Sequence, residues 1–379
     1  MKTLRLVLAA SLMVTTAIAQ QDTAKKAEFK PSGKVWGYAF GDYYYKMHND
    51  SLNRGNLQYS NLPETNNAFE FRRVYLGYDY NISERFATEV LLSYEGQTTS
   101  DGSRTIFMKA ANLRWKNIYH NADAVFGLQA TPAFPMLSEK QWGYRAIEKT
   151  IFDQRRMASS ADLGIGLQAR IGDKGNAGYD LLVADGSGTK PEGDIFKKAY
   201  GDVWVKLLGQ KLVIDLYGDY ERTMMTPALH RYKASGKLAL FYTTDAITAG
   251  AEVFLQQQHN YAVYTEPLTA RTDTSDVEDF GVSVFVRGVI IKDKLNFFAR
   301  YDQFNPDLMF KPEDLYTTGG APNTEMFITA GVDYTPHKNV HIMPNIWYDG
   351  FTNRTKNTSG HVKSDYDLVP RLTVWYVFR

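Results

Sequence analysis

The strongest constraint on the fold is a two-residue alternation of apolar and polar side chains that recurs along the chain. From Gly33 onward we mark about 16 segments of roughly 9 to 13 residues with this pattern, which is typical of strands whose faces meet different surroundings. In the last segment Leu372, Val374 and Tyr376 share one face, and Arg371 and Thr373 share the other. Beyond residue 19, no run approaches the roughly 18 apolar residues of a transmembrane helix. Any membrane insertion must therefore use strands.

The charged residues define the register of these strands. A shift of one residue would turn Arg73 or Glu89 toward lipid, and an Arg or Lys at the bilayer midplane costs about 2 to 4 kcal/mol. The connections alternate between seven short turns and eight long polar loops, among them 132–159 and 258–279, as 16 antiparallel strands require. Unpaired backbone groups are costly in hydrocarbon, so the sheet must close.

These patterns predict an all-β fold, a transmembrane antiparallel β-barrel of about 16 strands with long extracellular loops. A barrel of that size is too wide for side chains to fill, and an aqueous channel remains. Aromatic residues make up 14% of the chain, and many lie near predicted strand ends, where membrane interfaces favour amphipathic rings. The predicted location is the outer membrane, with its lipid as a partner.

The N-terminus predicts export. Residues 1–19 combine a basic start, a short apolar run and the exit Ala17-Ile18-Ala19, which is typical of a secretory signal peptide. We expect 20–32 to form a short periplasmic segment and 33–379 to form the barrel. The chain has no cysteine, so disulfides and thiolate metal sites are excluded. Its net charge of +1 gives no reason to expect a nucleic-acid partner.

Local motifs in the expected order resemble those of the phosphate-selective porin O and P family and of Gram-negative outer-membrane porins more broadly. They lie at residues 71–77, 126–132, 142–149 and 298–302. The ending Tyr376-Val377-Phe378 is similar to the assembly signal of outer-membrane barrels, although Arg379 follows it. The resemblance implies a homotrimeric diffusion channel, inserted by the barrel-assembly machinery, whose third long loop folds into the lumen.

The third loop, 132–159, is the longest and is expected to form the pore constriction. Its predicted site residues are Lys140, Arg145, Glu148, Lys149, Arg155 and Arg156. Inward parity adds a second set from the wall, namely Arg73, Arg114, Arg170, Arg300, Asp302 and Arg371. Acidic residues such as Asp79, Glu89, Asp215 and Asp333 share that parity and nearly cancel the basic ones. The balance favours a general channel for small hydrophilic solutes over a dedicated phosphate pathway.

Other classes of function remain open alternatives. A barrel enzyme would need a nucleophile with a base within hydrogen-bond reach, and most of the seven histidines fall in predicted loops or turns. His337 and His341 are four residues apart across a predicted turn, with no evident third metal ligand. A structural or adhesive barrel without an open pore is also possible. The sequence predicts no catalytic residue, no metal and no cofactor.

Overall fold

The structure is a computed structural model that describes residues 29–226, 229–319, 323–354 and 364–378. The predicted signal peptide, most of the predicted 20–32 segment and Arg379 lie outside the described residues. In the described part of the chain, no helix has the length and hydropathy needed to cross a membrane.

Within the described residues the chain forms 17 β-strands and two short helices. The helices α1 (Ser138–Trp142) and α2 (Ile151–Gln154) both lie between β5 and β6. The strands are β1 (Ser32–Tyr45), β2 (Asn67–Asn81), β3 (Phe86–Tyr94), β4 (Phe107–Tyr119), β5 (Ala122–Ala130), β6 (Ala161–Ile171), β7 (Ala177–Ala184), β8 (Lys198–Leu207), β9 (Leu212–Met225), β10 (His230–Thr243), β11 (Ile247–Thr265), β12 (Thr272–Ile291), β13 (Leu295–Asn305), β14 (Leu315–Thr318), β15 (Asn323–His337), β16 (Val340–Asn353) and β17 (Ser364–Phe378).

The sheet closes on itself. The last strand, β17, pairs antiparallel with β1, from Gly37 opposite Phe378 to Tyr44 opposite Arg371. β14 is not one of the strands of the barrel wall, because β13 pairs directly with β15. β14 pairs instead with the C-terminal end of β11. The wall therefore has 16 antiparallel strands, which confirms the predicted fold class.

A glycine allows the closing strands to approach each other. The ring of Phe378 lies over Gly37, and a Cβ atom added there would come within 2.3 Å of that ring. Only glycine fits such a contact without a shift of the ring.

The two faces of the wall meet different surroundings, as the alternation predicts. Leu216, Ile346 and Leu372 are 55%, 40% and 42% exposed on the outer surface, while Asp215 and Asp302 are buried inside the barrel. An apolar exterior around a polar interior is the arrangement of an outer-membrane barrel. The chain is thus an outer-membrane β-barrel.

The alternation is interrupted at one functionally important point. Phe40 of β1 pairs with Arg73 of β2, but the next residue, Gly41, pairs with Phe71. Arg72 is therefore an extra residue in β2, a β-bulge. As a result Arg72 and Arg73 both turn into the lumen, whereas strict alternation would send Arg72 to the lipid face.

The predicted loop 258–279 is mostly strand, so that prediction was wrong. β11 and β12 continue to Thr265 and from Thr272, leaving 266–271 as the connection. A register shift between Gln258 and Ala262 separates the barrel part of this hairpin from its upper part. The upper part has no apolar alternation because neither of its faces meets lipid, which explains why the sequence pattern did not reveal it.

Candidate pore constriction

Loop 3, residues 131–160 between β5 and β6, lies inside the barrel. Its Phe152 ring packs against Tyr217 and Phe254, with ring centroids 5.5 and 5.1 Å apart, and Trp142 packs edge-on against Phe285 at 5.2 Å. These contacts confirm the predicted inward folding of the third long loop.

Two apolar clusters seal loop 3 against one side of the lumen. The first joins Phe134, Ile151, Phe152 and Met157 of the loop to wall residues from β7 to β13. The second joins Trp142, Tyr144 and Ile147 to residues of β1, β13 and β16. Strands β2 to β6 contribute no residue to either cluster, so loop 3 leaves a gap toward these five strands. The wall members of the two clusters are Leu182, Ala184, Tyr200, Tyr217, Phe254, Phe304, Phe40, Phe298 and Met343.

Basic side chains of the wall hold loop 3 by its main chain. Arg72 donates to the carbonyl oxygens of Ala146 and Ile147 at 2.5 and 2.9 Å. Because a guanidinium presents several donors in a fixed fork, one arginine can hold two carbonyls at once. Further bonds from basic wall residues to the main chain of the loop run from Arg371 to Ile147 O (3.2 Å), from Arg287 to Gln141 O (3.0 Å), from Lys237 to Ala133 O (2.5 Å) and from Arg300 to Lys149 O.

Arg300, Asp302 and Arg371, three of the predicted wall residues, form this anchorage and do not line the free space. The Arg300 Nε atom lies 2.9 and 3.0 Å from the two carboxylate oxygens of Asp302, and both residues are buried. Arg371 is buried as well, 3.4 Å from Asp42, and donates to Asn345 at 2.6 Å. Asp302 neutralises Arg300, whereas Arg371 shares Asp42 with Arg72, which lies 3.0 Å from that carboxylate. These buried carboxylates reduce the field that the two arginines exert on a solute.

Arg72 and Lys237 belong to the same anchorage and were not among the predicted residues. Lys237 is 2% exposed and lies 2.7 Å from Ser138 Oγ and 3.6 Å from Asp215. The alternation along β10 places Lys237 on the inner face, so the sequence pattern alone could have identified it. Arg72 could not be identified in this way, because the bulge in β2 breaks the alternation there.

Two cavities adjoin loop 3 at Arg145. The larger, of about 720 Å³, opens toward the long loops, and we call it the outer vestibule. Its lining includes Asn56 and Gln58 of loop 1 (46–66), Thr98 of loop 2 (95–106), and Arg145, Lys149, Gln154 and Arg156 of loop 3. The smaller, of about 200 Å³, lies beside Tyr38, Glu139 and Lys140. Arg145 lines both cavities, so we take the point where they meet as the candidate constriction.

Charged groups from both sides meet at this narrow point, and we call them the constriction cluster. On loop 3, Arg145 lies 2.6 Å from Glu139 and 2.9 Å from Asp153, and Lys149 lies 3.4 Å from Asp153. On the wall, Glu95 forms ion pairs with Arg73 at 2.5 Å and Lys109 at 3.0 Å, and it accepts from the hydroxyls of Tyr75 at 2.8 Å and Ser93 at 3.1 Å. Four cations thus face three carboxylates across the gap.

The remaining predicted residues are spread over the lumen. Arg114 pairs with Asp123 at 3.0 Å between β4 and β5, and Lys140 and Arg170 are exposed. Arg155 points away from the free side toward Glu325 and Asp349. Glu148 is buried, and its carboxylate accepts the backbone N–H of Lys149 at 2.9 Å.

Loop 1 also folds inward, which the sequence did not predict. Tyr59 packs among Tyr44, Trp347 and Phe327 and donates its hydroxyl to Asp42 at 2.6 Å. Lys46 donates to the Tyr59 carbonyl at 2.8 Å and pairs with Asp367 at 2.7 Å. Loop 1 therefore forms one side of the outer vestibule.

The two carboxylates beside Arg145 have pKa values displaced in opposite directions. Burial raises the pKa of Glu139 above its ordinary value. Burial also acts to raise the pKa of Asp153, but Lys149 and Arg145 outweigh it and lower that pKa. Glu139 therefore takes up a proton before Asp153 as the pH falls.

We expect the preference for anions to increase as the pH is lowered from neutrality. Protonation of Glu139 leaves Arg145 with a single carboxylate partner, so the constriction becomes more positive. Reversal potentials measured in a KCl gradient at neutral and mildly acidic pH test this. A Glu139→Gln variant should show the acidic-pH value already at neutral pH. The same pH dependence in that variant as in the wild type would contradict the assignment.

The fold is similar to that of solved outer-membrane proteins. The outer membrane channel DcaP of Acinetobacter baumannii matches with a TM-score of 0.65 at 13% identity, covering 93% of this chain and 100% of that chain. OmpT of Vibrio cholerae, in its trimer form, matches with a TM-score of 0.57 at 11% identity, covering 92% and 100%. Salmonella typhi OmpF in complex with daunomycin gives 0.55 at 12%, covering 91% and 97%. At these identities the likeness shows a shared outer-membrane barrel fold.

No protein-family model and no curated protein sequence matches the chain. The resemblance to the phosphate-selective porin O and P family therefore stays a prediction.

Proposed function

We propose that this barrel is a passive diffusion channel for small hydrophilic solutes and ions. The observation that carries the proposal is the one-sided arrangement of loop 3. Its apolar residues seal it to the wall from β7 to β1, while charged and polar groups line the gap toward β2 to β6. A polar path with a narrow point of mixed charge is what a general pore needs. The proposed role requires no catalytic residue and no cofactor.

The charges along this path support a modest preference for anions such as phosphate. The constriction cluster combines Arg73, Lys109, Arg145 and Lys149 with Glu95, Glu139 and Asp153, so a slight positive excess faces the solute. Each of these four cations has a carboxylate partner, and a paired carboxylate weakens the electric field that the cation exerts on a distant solute. A continuous basic pathway dedicated to phosphate is not proposed.

The remaining proposals concern assembly. We infer that residues 1–19 are removed after export, that 20–32 lies on the periplasmic side, and that the barrel-assembly machinery inserts 33–379 into outer-membrane lipid. A homotrimer is proposed because the family resemblance in the sequence implies one and the trimer form of OmpT has a similar fold.

Conductance steps are expected when the purified protein is added to a planar bilayer. Because the chain has no cysteine, single introduced thiols can locate the path. Asp79 is exposed on a cavity of about 310 Å³ lined by β2, β3 and β4, so an Asp79→Cys channel should lose much of its current when a charged methanethiosulfonate reagent is added.

Ser283→Cys provides the matched control. Ser283 also faces inward, but its neighbours Gly281 and Phe285 approach Ile151 and Trp142 of loop 3, so its side chain is covered. Its current should be unaffected by the reagent. A folded protein that gives no conductance would favour a structural barrel, and a block through Ser283→Cys alone would place the path on the other side of loop 3.

A further inference from the structure

The outer vestibule contains one cation that no carboxylate neutralises. Arg156 is exposed on its lining, and among the described residues its side chain forms neither an ion pair nor a hydrogen bond. The other basic residues of this lining are paired: Arg104 with Glu70 at 3.0 Å, for example, and Lys149 with Asp153 at 3.4 Å. One positive charge is therefore free to meet a solute.

The backbone holds Arg156 in an uncommon conformation. Its φ angle is +61°, in the left-handed region that favours glycine, two residues after the end of α2. A non-glycine residue in this region is strained, and such strain is concentrated at functional sites. An arginine at a position where glycine would be favoured suggests that its side chain has a role.

A second donor on the same lining lacks a partner. Gln154 is 7% exposed, and its Oε1 atom accepts from Arg300 at 2.9 Å, which fixes the orientation of its amide. Its Nε2 atom is buried without an acceptor within the described structure. A buried N–H without an acceptor is costly, so a ligand oxygen there would relieve that cost.

Neutral polar side chains from the other two loops complete the lining. Asn56 and Gln58 of loop 1 and Thr98 of loop 2 are exposed, with no side-chain hydrogen bond in the described part of the chain. Amide and hydroxyl groups both donate and accept, as the hydroxyls of a sugar do. A single free cation beside several such groups matches a solute with one anionic group and many hydroxyls.

We propose that the outer vestibule binds anionic monosaccharides, with the carboxylate or phosphate at Arg156 and the ring hydroxyls on Gln154, Gln58 and Asn56. This deepens the proposed channel function and rests on it, since the bound sugar would be the solute that goes on to pass Arg145. The cavity of about 720 Å³ exceeds the size of one sugar ring, so water can share the site.

Calorimetry on the detergent-solubilised full chain tests the site with three probes: glucuronate, glucose 6-phosphate and glucose. The two anionic sugars should bind more tightly than glucose, and the tighter of the two identifies the preferred acid group. Arg156→Gly removes the cation and relieves the backbone strain, so it should fold. We expect it to weaken glucuronate binding about tenfold, as for loss of one charge-assisted hydrogen bond. Arg156→Lys should retain most of the affinity.

Arg271→Gln is the matched control, because Arg271 lies at the exposed tip of the β11–β12 hairpin and pairs only with Asp273 in the described structure. It should bind glucuronate like the wild type. Equal affinity for glucuronate and glucose, or no change in Arg156→Gly, would overturn the inference. KCl conductance, measured separately, distinguishes this failure from failure of the channel proposal, because a conducting protein without sugar binding leaves that proposal intact.

Discussion

An Arg300→Met variant is expected to lose roughly 3 to 5 kcal/mol of folding stability, the usual cost of removing one partner from a buried ion pair. Arg300 is 3% exposed and joins Asp302, the Gln154 amide oxygen and the Lys149 carbonyl. Its loss leaves Asp302 buried without its cation and breaks one attachment of loop 3 to the wall. Equilibrium unfolding in detergent, followed by tryptophan fluorescence, measures the first effect, and higher single-channel conductance should report the second.

The double variant Arg300→Met, Asp302→Asn separates these effects. Removing both charges avoids an uncompensated buried carboxylate, so most of the lost stability should return. The single-channel conductance should remain above that of the wild type, because residue 300 still cannot donate to the Lys149 carbonyl of loop 3. Unchanged stability and conductance in Arg300→Met would show that the apolar clusters hold loop 3 without the guanidinium.

Arg300 and Asp302 also show what the sequence could and could not predict. The two residues are two positions apart on one strand, so both point to the inner face, because side chains alternate between the two faces along a strand. That Arg300 reaches Lys149 is not local, since the two residues are 151 positions apart. The sequence therefore predicted the fold and which side chains of the wall point inward. It wrongly predicted that the anchoring arginines line the solute path.

The other differences have three physical causes. At Arg72 the bulge inserts one residue into β2, which cannot be seen in a pattern that assumes strict alternation. In the upper β11–β12 hairpin the alternation disappears, because strands in water need no lipid-facing side. The packing of Tyr59 inside the barrel depends on residues from distant strands, such as Trp347, and leaves no local signal. Predictions were thus reliable where the bilayer imposes a pattern.

Replacing Arg145 with Ala is expected to make the channel prefer cations. Arg145 lies between the two cavities and is the shared partner of Glu139 and Asp153. Without it, these two carboxylates face the path with Lys149 as the nearest remaining cation of loop 3. One unit charge at 4 Å contributes about 1 kcal/mol even in water, so the K⁺ to Cl⁻ permeability ratio should rise at least about fivefold. Reversal potentials in a KCl gradient measure this ratio.

Arg145→Lys separates the charge from the shape of the side chain. A lysine keeps one positive charge at the narrow point but loses the fork that contacts both carboxylates, so the permeability ratio should stay near that of the wild type. Arg155→Gln offers a second comparison, because Arg155 belongs to the same loop but faces Glu325 and Asp349 away from the path. If Arg155→Gln shifts the ratio as much as Arg145→Ala does, the solute passes on the far side of loop 3. If neither shifts it, the constriction cluster does not control permeation, and selectivity must arise in the outer vestibule.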